Sequence, residues 1–472
     1  MPTALNSSRV ARSALIACCA IALATLVGAS MAGTFAVGLD LTQGGFLALF
    51  LAVVAACTAV GWRMHRDFLS PVVLMSLGWV VPITLHTLHL SPTYLVSLRA
   101  STWLTITGTL VLFNLGSLLT AGSSSLHPPV TPRRQNRSVV RGDSGEPWSR
   151  RVLYGYCALG LLAWLYGVWQ KGGREGLAAL SDRPEELRWV EPPKIVGQIP
   201  VLLSVAMLIC LVRWERAGLK REKHVVLLFL VGLCTLMLDT ARSNLYQMSM
   251  TGVIFWVLMR RTIPKKWLAG IMAACLFFFV AVAKQRTDSA PLAARALTDF
   301  ADLPEALVLP YVYLTSSITN LELNLEGGRQ LLEGGGVRTF APILSWLQIY
   351  KTPQFERYLT YWGGGISVYQ ADLYIDFGLA GLIFGPLVLG ALCGLLYRRW
   401  RVRGSSFHAM MYAVVATAVV TSALVNWFST PPMWFFFFLL PPALWRSRAP
   451  ATERGSPAST GILMSASPRK CG

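Results

Sequence analysis

Apolar stretches of near-uniform length alternate with short polar segments along almost the whole chain. About 20 apolar residues in a helix cross a hydrocarbon layer. Runs of this kind stand at Ala14–Val37, Gly45–Trp62, Ser70–Leu90, Thr102–Ala121, Val152–Trp169, Ile195–Trp214, Val225–Leu238, Asn244–Met259, Trp267–Ala283, Leu373–Tyr397, His408–Val425 and Pro432–Trp445. Val225–Leu238 is short, and Pro432–Trp445 is both short and interrupted by proline. Arg9 and Arg12 ahead of Ala14–Val27, with Ser30-Met31-Ala32 beyond, have the layout of a signal peptide. In a chain with this many later runs, the favoured reading is an uncleaved first membrane helix. No internal repeat is visible, which weighs against transporter folds built from duplicated halves.

Alternating the polar segments between two sides separates the charge. One side receives the N-terminus, 61–68, 122–151, 213–224, 260–266, 398–407 and the C-terminal tail, with 28 of the 42 Lys and Arg residues but only 6 of the 23 Asp and Glu. Cytoplasmic loops are the ones enriched in Lys and Arg, so this side is inside and both termini are cytoplasmic. The predicted fold is an all-α polytopic membrane protein of about twelve transmembrane helices, with a large outer loop capping the bundle between helices 9 and 10. Its divisions are 1–121 (helices 1–4), 122–151 (a Pro, Ser and Arg-rich disordered loop) and 152–283 (helices 5–9). The outer loop follows at 284–372, a structured cap with amphipathic pieces near Leu303–Leu325 and Phe340–Tyr350, lying on the membrane surface or dipping into it; then 373–445 (helices 10–12) and a disordered tail, 446–472.

Composition agrees. Hydrophobic residues make up 54% of the 472 and charged residues only 14%, against roughly 25% in a soluble domain, and the mean hydropathy is +0.51. The net charge of +19 therefore marks topology; it is not a nucleic-acid surface. Eight of the nine cysteines lie in apolar runs and none has metal-ligand spacing, so neither a disulfide framework nor a zinc site is expected.

Candidate chemistry is confined to ionisable residues at the outer helix ends, where a charge is costly and marks function. No phosphate loop, HExxH, GxSxG or dinucleotide fingerprint is present. Asp239 and Arg242 share one turn between two runs, where a guanidinium can grip a phosphate bidentately or an Arg–Asp pair can simply close the turn. Lys284-Gln-Arg286-Thr-Asp288 is an interfacial anchor or part of an anion site. Gly334–Gly336 with Arg338 places mobile backbone and a cation before a helix, as a phosphate site or a flexible loop. Asp372 and Asp376 lie four apart where a run opens, as a base and sugar-hydroxyl acceptors or as partners of the positive helix end. Gly381/Gly385 and Gly390/Gly394 are small-residue pairs for close helix packing. His86 and His89 share a face at the outer end of the third run, as a satisfied interfacial pair or in a catalytic or acceptor role, the first being favoured. Tyr311, Tyr313, Tyr361, Trp362 and Tyr369 suit stacking on sugars or an interfacial belt.

These features resemble a family. Twelve spans, a large late outer loop, Thr-Ala-Arg242-Ser opening a span, and Gly365-Ile-Ser-Val-Tyr369-Gln-Ala-Asp372-Leu-Tyr-Ile-Asp376-Phe-Gly378-Leu-Ala-Gly381 leading the next are similar to the oligosaccharide repeat-unit (O-antigen) polymerases. The stretch from Tyr311 to Glu322 is similar to that family's tyrosine-led segment, and the likeness covers Leu227 to Tyr397. The resemblance implies a membrane glycosyltransferase of the polytopic C type in the bacterial inner membrane. It would act on undecaprenyl-pyrophosphate-linked oligosaccharide at the outer face and lengthen a surface polysaccharide, without metal or cofactor. Its partners would be the bilayer and the chain-length regulators or flippases of the same pathway, with no nucleic acid. Arg242, Arg286 and Arg338 would hold the pyrophosphate, with Tyr311 and Tyr369 at the sugars; Asp239, Asp372 or Asp376 would take the acceptor proton. No histidine lies in 284–372, so a histidine base there is excluded. A glycan ligase and a lipid-linked glycan flippase are the competing classes, ahead of a structural scaffold.

Overall fold

The computed structural model describes residues 43–88, 90, 97–122, 146–170, 199–217, 223–238, 242–260, 305–327, 335–346 and 368–445; among these there are helices, turns and short connections but no strand. In chain order the helices are α1 Gln43–His65, α2 Pro71–Thr87, α3 Ala100–Ala121, α4 Glu146–Gln170, α5 Val201–Ala217, α6 Lys223–Leu238, α7 Arg242–Arg260, α8 Glu305–Glu326, α9 Ala341–Trp346, α10 Tyr369–Arg403, α11 Ser406–Val420 and α12 Pro431–Trp445. Ten of the apolar runs fall on α1–α7 and α10–α12; Ala14–Val37 and Trp267–Ala283 lie outside the described residues, as do the tail and most of 122–151. Gln43–His65, Ala100–Ala121, Ser149–Gln170 and Tyr369–Arg403 are long and apolar enough to cross a membrane. The described residues form an all-helical bundle with membrane-spanning character.

The bundle is organised on α3 and α10. Trp103, Ile106, Leu110 and Phe113 of α3 are buried, and α10 runs along them. Glycine makes the approach possible. A Cβ on Gly116 would stand 2.0 Å from the Leu387 carbonyl oxygen, one on Gly390 2.0 Å from that of Phe113, and one on Gly394 2.3 Å from that of Ser117. The Thr120 hydroxyl donates across the seam to the Ala391 carbonyl at 2.7 Å. Between helices in lipid, close van der Waals contact and interhelical hydrogen bonds replace the hydrophobic drive. The pair Gly390/Gly394 is therefore a packing device, as its spacing predicts.

The pair Gly381/Gly385 works differently, and it corrects the expected start of this span. Gly378 takes φ 61° and ψ −144°, which breaks α10 into an arm, 369–377, and a long helix, 379–403. Only glycine adopts that conformation without penalty. The arm folds back so far that a Cβ on Gly381 would meet the Leu373 carbonyl oxygen at 2.1 Å, and the Leu373 side chain covers Gly385. Asp372 and Asp376 thus stand on a separate short helix.

Helix α8 packs against α2, α3 and α10, with Thr315, Ser317, Thr319, Asn320, Glu322 and Asn324 all buried. Each buried polar group requires a partner, and the ends of neighbouring helices supply several. Tyr311 donates to the Leu85 carbonyl at 2.9 Å, Ser317 to the Ala423 carbonyl at 2.6 Å, and Thr319 meets His86 Nε2 at 3.2 Å. Glu322 accepts the Arg99 backbone N–H at 3.0 Å and pairs with its guanidinium at 3.6 Å; Glu326 takes the same guanidinium.

The far end of the bundle is basic. Arg63, Arg216, Arg260, Arg401 and Arg403 lie in the last turns of their helices. Several tie elements together: Arg213 donates to Ser149 at 2.6 Å, Arg216 to Ser406 at 2.7 Å, and Arg401 pairs with Asp67 at 3.6 Å while Tyr397 donates to the same carboxylate at 3.0 Å.

Gly390→Ala forces two backbones apart, and overpacking of this kind costs about 1–3 kcal/mol. Its unfolding midpoint in detergent should fall clearly, whereas Gly155→Ala, where a Cβ meets open space, should leave the midpoint unchanged or slightly raised.

Candidate functional site

At the other end, three segments converge: the turn 335–340, the arm 369–377 and the connection 421–430 between α11 and α12. The turn exists because Gly335 and Gly336 both take left-handed backbone, φ 80° and φ 79°. It delivers Arg338 and Thr339 onto Asp376. The Arg338 backbone N–H donates to Oδ1 at 3.0 Å, the Thr339 N–H to Oδ2 at 2.7 Å and the Thr339 hydroxyl to Oδ2 at 2.6 Å. Charge-assisted bonds to backbone N–H groups are among the stronger ones in proteins. Asp376 therefore clasps the turn.

Asp372 stands one helical turn before it, 3% exposed. Its Oδ2 accepts from Asn426 Nδ2 at 2.6 Å and from the Ser429 hydroxyl at 3.3 Å. The Asn426 amide is itself oriented, since its Oδ1 accepts the Phe428 N–H at 3.1 Å. The Arg338 side chain is 2% exposed, and its positive charge and the negative charge of Asp376 both act on Asp372. Two carboxylates and a guanidinium removed from water impose a large desolvation cost, tolerable only with this density of hydrogen bonds and charge compensation.

The structure brings Arg338, Asp372 and Asp376 into one cluster. Helix α7 begins at Arg242, and Tyr246, one turn on, stacks on Trp427 with ring centres 6.4 Å apart and planes 17° apart. The start of α7 is thereby set at the same end of the bundle. The Arg242 side chain, Asp239, Lys284, Arg286, Asp288, His89, Tyr361 and Trp362 lie outside the described residues.

The two tyrosines proposed as sugar platforms are not presented at a surface. Tyr369 is buried within the hydrophobic core. Tyr311 is a strut against α2, its hydroxyl donating to the Leu85 carbonyl.

Asn426, Ser429, Thr339 and the Arg99–Glu322 pair went unrecognised in the sequence. The available signal was modest: Thr421, Ser422, Asn426, Ser429 and Thr430 form a polar run between two apolar stretches.

A guanidinium beside an oriented carboxylate, both shielded from water, suits recognition of a phosphate or sugar hydroxyl and transfer of a proton. Among the described residues no group of three His, Cys, Asp or Glu side chains is placed to hold a metal ion.

Asp376→Ala leaves two buried backbone N–H groups without their acceptor, at about 1–3 kcal/mol each. The turn should open at least roughly tenfold more often, and limited trypsin digestion of the folded protein should then cleave after Arg338. Thr339→Val, which removes only the hydroxyl bond, should accelerate cleavage much less. Compared with protein-family models, characterised proteins and solved structures, the chain matches none.

Proposed function

We propose that the protein is a membrane glycosyltransferase that polymerises undecaprenyl-pyrophosphate-linked oligosaccharide units into a surface polysaccharide at the outer face of the bacterial inner membrane. The observation that carries this is the buried cluster of Arg338, Asp372 and Asp376 at the end of the bundle opposite the basic one. Under the Lys/Arg rule the basic end is cytoplasmic. On this reading the cluster is outside, in a protein of about twelve spans with both termini inside and segment 284–372 as the outer cap.

In the reaction an acceptor hydroxyl of one lipid-linked unit attacks the sugar carbon bonded to the pyrophosphate of another. The new glycosidic bond forms as the carbon–oxygen bond to pyrophosphate breaks. Asp372, held by Asn426 and Ser429, takes the hydroxyl proton. Arg338, with Arg242 and Arg286, stabilises the charge developing on the departing pyrophosphate. Asp376 holds the turn that carries Arg338. A flippase would favour charged side chains near mid-membrane. Among the described residues the buried acidic and guanidinium groups sit at the bundle ends: Arg213 and Arg401 at one, Glu322, Arg338, Asp372 and Asp376 at the other.

The test is glycan length in a deletion strain carrying variants at matched protein level. Loss of one preorganised donor costs roughly 10²–10³ in rate, and loss of a general base roughly 10²–10⁴. Arg338→Ala and Asp372→Asn should therefore both leave single repeat units without long chains, and Arg242→Lys should shorten them because the planar fork is lost. Full-length polymer in both Arg338→Ala and Asp372→Asn would end the proposal. Free, unattached polymer in the deletion strain would point to a ligase, and the absence of all outward glycan to a flippase.

A further inference from the structure

Beside the cluster stands a set of aromatic rings to which the reaction assigns no task. A Cβ on Gly336 would lie 2.9 Å from the rings of both Phe340 and Phe377, so these two converge on the turn that carries Arg338. Phe340 reaches Trp434 of α12 with ring centres 6.2 Å apart, and Trp434 stacks on Phe438 at 5.9 Å and 26°. Trp434 is fixed in place, since its Nε1 donates to the Phe428 carbonyl at 2.9 Å. The rings are nonetheless open to the surroundings: Phe340 is 43% exposed, Phe377 41% and Phe438 55%. At 1.5 Å per residue, Phe438 lies about 10 Å along α12 from its start. The four residues form a continuous apolar track that begins at the turn carrying the buried Arg338 and runs down the outside of the bundle.

Leu159, Leu162 and Leu165 of α4 are as exposed, but they are aliphatic and lie on a long apolar helix suited to ordinary lipid contact. A track joining a cation to aromatic faces matches a ligand with an anionic head and a long, unsaturated, methyl-branched tail. Rings held by few torsions give large contact area at small entropic cost.

We propose that Phe340, Phe377, Trp434 and Phe438 hold the head-proximal isoprene units of the polyprenyl tail while its pyrophosphate lies at Arg338. This rests on the function proposed above, because it takes the lipid-linked donor as the ligand.

The experiment uses the full chain in phosphatidylcholine nanodiscs and a polyprenyl pyrophosphate bearing a diazirine in an isoprene unit near the head. Cross-linked residues are mapped by peptide mass spectrometry. Label should concentrate at Phe340, Phe377 and on the segment from Trp434 to Phe438. Unlabelled undecaprenyl pyrophosphate should compete for it, and phosphatidylglycerol should not. Phe438→Ala should reduce labelling of the track roughly fivefold, while Leu162→Ala, on the matched aliphatic face, should not. Label spread over the exposed faces of α1 and α4, or equal competition by phosphatidylglycerol, would overturn the track. Labelling of the track together with full-length polymer in both Arg338→Ala and Asp372→Asn would instead overturn the proposed function and leave the track standing. Polymerisation that depends on Arg338 with label elsewhere would do the reverse.

Discussion

Direct backbone contact between α3 and α10 is the constraint from which the rest of the architecture follows. In a layer as apolar as the side chains themselves, two helices gain little from burying leucine against leucine. Removing side chains at Gly116, Gly390 and Gly394 lets the carbonyls of one helix face the bare backbone of the other, and Thr120 adds a hydrogen bond across the seam. The same helix then offers Gly381 and Gly385 to its own preceding arm. The position of Asp372 and Asp376 is inherited from this glycine pattern: α3 fixes the long part of α10, and the long part fixes the arm.

The arm in turn organises two segments from distant parts of the chain. Through Asp376 it holds the turn 335–340, and through Asp372 it holds the connection 421–430. The two carboxylates differ in the donors they meet. Asp376 is bound by two backbone N–H groups and a hydroxyl, a set that fixes a loop. Asp372 is bound by side chains, one of them the Asn426 amide locked by Phe428, which orients a carboxylate. This difference, rather than their shared helical spacing, separates their roles in the proposed reaction. Without the clasp on Asp376 the guanidinium of Arg338 would have no fixed relation to Asp372, so the structural carboxylate is a precondition for the chemical one.

Much of this was legible in the chain, and the rest was hidden for identifiable reasons. Apolar run length located ten helices because it depends only on local residues. The Gly390/Gly394 spacing gave close packing, and the cation after a glycine run singled out Arg338. The fold-back at Gly378 was hidden because Asp-Phe-Gly-Leu continues an apolar run, and no local residue reveals that its glycine is left-handed. The burial of α8 was hidden because a polar helical face reads as solvated; its partners His86, Leu85, Arg99 and Ala423 lie about a hundred residues or more away. Tyr311 and Tyr369 misled for a related reason: aromatic residue type does not distinguish a ring offered to a ligand from one packed between helices. Asn426 and Ser429 acquire meaning only once Asp372 is placed beside them.

The excess of positive charge now divides into two kinds. At one end arginines close helices and pair with hydroxyls or with Asp67, so in the proposed topology they serve orientation and cohesion together. Neither purpose accounts for Arg338. In the topology proposed above the Lys/Arg bias gives it no part at its own end of the bundle, and a cation 2% exposed contributes nothing to solubility. A packing role alone would be met more cheaply by an apolar residue of similar volume, since buried ion clusters often stabilise less than their hydrophobic replacements. What an apolar residue cannot supply is a fixed positive potential beside a carboxylate in a water-poor site. That property has value when a ligand arrives carrying negative charge and departs carrying more of it, which is the situation of a pyrophosphate leaving group.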